Sequence, residues 1–180
     1  MAASLDIYSS PGTFRKLNIT SHRAHAIEPE QVIQIGSWRV MAFDVSHDCE
    51  QPYGYLIHSE QTGNILFVTD TGYVNHRFDN LNNIIVELNY SDEILESNIA
   101  SGRLHGSMRN RVYNTHISLS VLIDLLKAND LTHVANIVLV HLSDTNSNAE
   151  EFKQAVIDAT GKNVIIADKD MTINFSKTPF

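Results

Sequence analysis

The sequence predicts an α/β layered domain, and three observations predict it. Short segments in the first half alternate apolar and polar residues, as half-buried strands do. After Ser91 the apolar spacing changes to the helical period, and strands and helices then alternate. Helix start and stop signals fall where the period changes: Ser91 before Asp92 and Glu93, Asn148 before Glu150 and Glu151, and glycines at 102 and 161.

In order, Met1 to Thr13 reads as the end of a helix, a short strand and a turn, Phe14 to Leu17 as a helical turn, and His22 to Ala26 as loop. Gln31 to Ile35 and Trp38 to Val45 alternate around Gly36 and Ser37, which makes a hairpin with Trp38 in the core. Tyr53 to His58 and Ile65 to Thr69 make a second hairpin around Gln61 to Asn64, and Leu81 to Leu88 holds a further strand. A helix follows from Ser91 to about Ser101. Leu119, Val121, Leu122, Leu125 and Leu126 mark the apolar stripe of another. Ile137 to Val140 is a buried strand, and a capped helix runs to Thr160 before Gly161. Val164 to Ala167 and Met171 to Phe175 complete the expected sheet.

The chain of 180 residues, 43% hydrophobic, is long enough for one stable core. A formal charge of −8 argues against a broad nucleic-acid-binding face, which needs clustered Lys and Arg. A small phosphorylated substrate stays possible, because ions in a pocket dominate its local field. Cys49 is the single cysteine, so no internal disulfide forms and a reducing compartment is expected. No apolar run reaches membrane-spanning length and no signal peptide is legible, so the expected location is the cytoplasm, with no membrane partner.

Metal-capable side chains stand at the ends of separate predicted strands. His47 follows the Val40 to Val45 run, Asp70 follows Ile65 to Thr69 beside Gly72, and His141 follows Ile137 to Val140. Imidazole and carboxylate together suit zinc, manganese or iron, and an aspartate can bridge two ions. These residues are dozens of positions apart, so no local motif links them. The bland alternative for each is a hydrogen-bonded loop residue.

His47-Asp48-Cys49-Glu50-Gln51-Pro52-Tyr53-Gly54-Tyr55, Phe67-Val68-Thr69-Asp70-Thr71-Gly72 and Val140-His141-Leu142-Ser143 resemble the later motifs of the metallo-β-lactamase fold. The resemblance is to YycJ-type phosphodiesterases, the RNase Z group and phage anti-Pycsar phosphodiesterases, and with Tyr8 to Thr13 it spans essentially the whole chain. It implies an αββα sandwich that lacks its first strands, with residues 1–180 as one domain forming the C-terminal two-thirds of the fold. It also implies a metal-dependent hydrolase that opens 3′,5′-cyclic nucleotides, in a host cytoplasm if phage-encoded. His47, Asp70 and His141 would be metal ligands, with Asp70 bridging two Zn²⁺ or Mn²⁺ ions in the complete fold. Asn114 to Ser118 is similar to the family segment that sets a histidine near the scissile phosphate, so His116 and Asp70 would be catalytic.

The departures shape the remaining expectations. The family's His-x-His-x-Asp-His cassette is absent, and His22 and His25 do not replace it. One weakly held ion or none is therefore expected, together with a homodimer or a complementing N-terminal fragment. Tyr90 stands where histidine is common, and Thr115 replaces a glycine. Arg103, Arg109 and Arg111 are read as a loop cluster, of which Arg109 and Arg111 would bind a substrate phosphate. Tyr53 and Tyr55 could stack on a nucleobase or pack on a strand, and His58, His76 and His133 are assigned to the surface. A nuclease of the same fold and a non-catalytic interaction module remain the alternatives.

Overall fold

A computed structural model describes residues 4–178, and the helix end expected at Met1 lies outside them. Its centre is a seven-stranded mixed sheet in the order β3-β4-β5-β6-β7-β8-β9. The strands are β3 (Val32–Ile35), β4 (Trp38–Asp44), β5 (Tyr53–Ser59), β6 (Gly63–Val68), β7 (Leu81–Glu87), β8 (Asn136–Val140) and β9 (Asn163–Ile166). From β3 to β6 the neighbours are antiparallel, and from β6 to β9 they are parallel. The hairpins follow from short turns, whereas the parallel strands need the crossovers that the helical segments supply. Those helices are α2 (Asp92–Ala100), α3 (Met108–Thr115), α4 (Leu119–Lys127) and α5 (Ala149–Thr160). Ahead of the sheet, β1 (Ile7–Ser9) pairs in parallel with β2 (Ala24–Ala26) around α1 (Pro11–Lys16).

One face of the sheet carries the core. Leu66, Val68, Ile84, Val86, Ile137 and Leu139 alternate toward it and meet Leu122 and Leu126 of α4 and Phe152 and Val156 of α5. Three of these helices begin where a side chain satisfies an orphan backbone N–H: Ser91, Ser118 and Asn148 accept from Ile94, Val121 and Glu151. On the opposite face, strand register aligns Ala42, Tyr55, Phe67, Ile85, Val138 and Ile165 in one apolar row. Tyr55, Phe67, Ile85 and Ile165 there are only half-buried.

Five sequence expectations change. His22 to Ala26 is not all loop, because Ala24–Ala26 forms β2, a strand too short to show a period. Met171 to Phe175 adds no strand to the sheet. The tail is held instead by Lys177 N–H to Gln61 O (2.8 Å) and by the amides of Asn82 and Asn83. Trp38 is 39% exposed rather than in the core, at the start of β4 beside the edge strand β3. Arg109 and Arg111 lie on α3, a helix whose polar composition hid its period. His76 is also more enclosed than a surface role implies, its ring lying 5.1 Å from that of Phe43 and 6.1 Å from that of Phe78.

Candidate metal centre

The parallel strands β6, β7 and β8 run in one direction, so their C-terminal ends reach the same edge of the sheet. This is the edge at which open α/β sheets hold ligands. Asp70 follows β6, Glu87 ends β7 and His141 follows β8. His116 joins them from the three-residue link between α3 and α4. One ligand atom from each of Asp70, Glu87, His116 and His141 lies within 4.8 Å of the others.

The backbone is bent to make this possible. Asp70 and His141 both have positive φ, 52° and 55°. Such a conformation costs a non-glycine residue about 1–3 kcal/mol and persists where the surroundings impose it. Here it turns the chain sharply at the strand end. Gly72 matters for a different reason: a Cβ there would meet Asn114 O at 2.6 Å. Only glycine lets the Asp70 loop close against the end of α3, which carries the chain into His116.

Glu87 is the hub. Its side chain is fully buried, and its Oε1 lies 2.7 Å from His116 Nδ1 and 2.9 Å from His141 Nδ1. Its Oε2 accepts from the backbone N–H groups of Thr71 (3.3 Å) and Ile117 (3.4 Å). A buried carboxylate needs this saturation to remain charged. His116 hydrogen-bonds Glu87 through Nδ1, whereas His141 Nδ1 lies in ion-pair range of both Glu87 Oε1 and Asp70 Oδ1 (3.3 Å); outer carboxylates orient metal-binding histidines in this way. Glu87 therefore orients more than it ligates. Its hydrogen bond, and then its charge with that of Asp70, hold the His116 pKa above the usual histidine value, against desolvation.

His47 stands beside this group. Its ring centroid lies 5.6 Å from that of His116, its Nδ1 is 3.1 Å from Thr115 O, and its Nε2 is 3.3 Å from Asp48 Oδ1. The structure thus gathers Asp70, His116 and His141, keeps His47 adjacent, and adds Glu87, which sequence reasoning assigned no role. A carboxylate ending the apolar run Ile84 to Val86 was the available signal. Arg111 Nε donates to Asp48 Oδ2 at 2.9 Å, an interaction that lowers the Asp48 pKa. Arg109 pairs with Glu96 at 2.6 Å and lies over the Tyr113 ring. Both arginines are therefore already partnered. Tyr53 packs on structure, donating its O–H to Ile27 O at 3.2 Å.

The donor set fits a divalent cation. Two imidazoles and an exposed-side carboxylate on Asp70 match the ligand types of zinc, manganese or iron.

No protein-family model and no curated protein matches the sequence. Solved structures do match. YhfI from Bacillus subtilis, described as a metallo-β-lactamase-fold protein, superposes with a TM-score of 0.68 at 14% identity, over 92% of this chain and 63% of its own. A diphosphatase of the PhnP family gives 0.60 at 15% identity, over 94% of this chain and 58% of its own. A Thermotoga maritima protein described as a Zn-dependent hydrolase of the metallo-β-lactamase superfamily gives 0.51 at 10% identity, over 79% and 71%. The chain thus spans less than two-thirds of the first two. Across that span, its sheet and helices are those of the metallo-β-lactamase fold.

Proposed function

We propose that this chain provides the C-terminal metal-holding part of a divalent-metal-dependent phosphodiesterase acting on 3′,5′-cyclic nucleotides. The observation that carries the reading is the convergence of Asp70, His116 and His141 on the saturated Glu87 carboxylate. Asp70 and His141 would hold a Zn²⁺ or Mn²⁺ ion, with His47 the next imidazole in reach. A cation bound there supplies Lewis acidity toward a phosphoryl oxygen and lowers the pKa of water. The chain's own residues do the rest. Glu87 keeps His116 oriented and protonated, and His116 donates that proton to the departing ribose oxygen. Arg111 would reach substrate phosphate by exchanging its exposed Asp48 partner. The net charge of −8 favours a small nucleotide over a long polyanion. That one structural neighbour is named a diphosphatase supports phosphoester chemistry. The half-buried apolar row on the second sheet face supports a covering partner, as a second copy or a complementing fragment.

The test is hydrolysis of cyclic CMP, UMP, AMP and GMP against single-stranded DNA, with Mn²⁺ or Zn²⁺, by the chain alone and with a fragment carrying the missing cassette. Metal-dependent opening of a cyclic nucleotide is expected. Activity on DNA alone would move the assignment to a nuclease, and none on either with metal bound would leave an interaction module.

A further inference from the structure

The parallel strands have a second edge. Where Gly63 and Asn64 begin β6 and Leu81 begins β7, a cavity of about 430 Å³ opens at the end of the sheet opposite the metal centre. A six-residue strand separates the two by about 20 Å. Size alone makes the cavity adequate for a small molecule.

Its walls are fixed by their own hydrogen bonds. Asn82, nearly buried, accepts Asn64 N–H at Oδ1 (2.9 Å) and donates Nδ2–H to Lys177 O (3.2 Å). Gly63 has φ +65°, and a Cβ there would meet Asn82 Oδ1 at 2.1 Å, so this floor requires glycine. Asn64 Nδ2 donates to the backbone carbonyls of Asp79 (3.3 Å) and Asn80 (3.1 Å). Its Oδ1 is thereby turned to accept from His58 Nδ1 at 2.8 Å, which fixes the tautomer and leaves Nε2 uncommitted. The tail, docked through Lys177 N–H on Gln61 O, brings Lys177 and Thr178 over the opening.

The chemistry of the lining is one-sided. His58, His133, Lys177, Thr178 and asparagines line the cavity, and among the described residues no Asp or Glu does, in a chain of formal charge −8. Asp130 does feel the charge of His133, but its carboxylate is turned onto Thr132. A pocket lined by a lysine, two histidines and a threonine, in an otherwise acidic protein, suits an anion that accepts several hydrogen bonds at once.

We propose that this cavity is a second ligand site, for a small phosphate-bearing anion, held by Lys177, His133 and His58. The site does not depend on the reading of the metal centre. The experiment is ¹H–¹⁵N NMR of the metal-free protein, titrated with inorganic phosphate and separately with AMP. Saturable shifts are expected at His58, Asn82 and His133, with His116 and His141 unmoved. Tighter binding of AMP identifies a phosphate monoester as the ligand, and equal binding identifies free phosphate. Lys177→Gln and His133→Gln, both at exposed positions and so compatible with folding, should each weaken binding about tenfold. No saturable shift at this cavity, shifts only at His116 and His141, or affinities unchanged in both variants would overturn the proposal.

Discussion

Glu87 brings a carboxylate into the interior at the end of an apolar strand, where its oxygens meet polar partners. Two backbone N–H groups and the His116 imidazole hydrogen-bond its oxygens, and His141 Nδ1 lies 2.9 Å away. Glu87→Gln keeps the shape but sets an amide N–H against one of those donors. We expect it to destabilise the fold by about 1–3 kcal/mol and to weaken metal binding by about 10–100-fold, read by chemical denaturation and metal titration. His116 gives the pH dependence. Its raised pKa means that the His116–Glu87 pair stabilises the metal-free protein fully below the unfolded histidine value of about 6.5. That stability is lost as pH rises through the folded value. A melting series should show the loss above neutral-acid pH in the parent and a flatter profile in His116→Gln. In turnover, His116→Ala should slow hydrolysis by about 10²–10⁴-fold.

At the scale of elements, the site depends on the α4–sheet contact more than on its surface ion pairs. Leu122 is fully buried between α4 and the strands, and α4 begins three residues after His116. Leu122→Ala should cost about 2–5 kcal/mol in denaturant midpoint measurements. Arg111→Gln should leave the melting temperature unchanged, because its Asp48 partner is exposed, while raising KM if the guanidinium meets substrate. The elements legible in the sequence were those with strong period or caps. The Trp38–Asp44 and Tyr53–Ser59 strands and the capped helices at Ser91 and Asn148 stand where patterning and capping put them. Helix α3 was not legible, because Arg109, Asn110, Arg111 and Asn114 leave no apolar stripe. Of the site, Asp70 and His141 could be read from strand ends. Glu87 could not be assigned a role, because only the register of three parallel strands shows that its carboxylate lies between two distant histidines.

For the whole molecule, the unequal covering of the sheet is the main feature. One face is sealed by α4 and α5, whereas the other leaves Tyr55, Phe67, Ile85 and Ile165 half-buried. Concentration-dependent self-association by size exclusion with light scattering is the outcome we expect from that face, and a monomer across a wide concentration range would argue for a face that needs no cover. Among the described residues no helix is long and apolar enough to cross a membrane.

Asp70 and His141, beside the His116–Glu87 pair, are the proposed holders of a divalent ion. Mn²⁺ titration followed by paramagnetic broadening in ¹H–¹⁵N spectra tests this assignment most directly, since broadening falls steeply with distance from the ion. The account predicts one weakly held ion per chain, with signals of residues 70–72, 116–117 and 141 lost first and the Asn83, Asn136 and Asn163 side chains at the far end of the strands unaffected. Asp70→Asn should abolish the effect. Broadening centred elsewhere, or none at millimolar Mn²⁺, would contradict it.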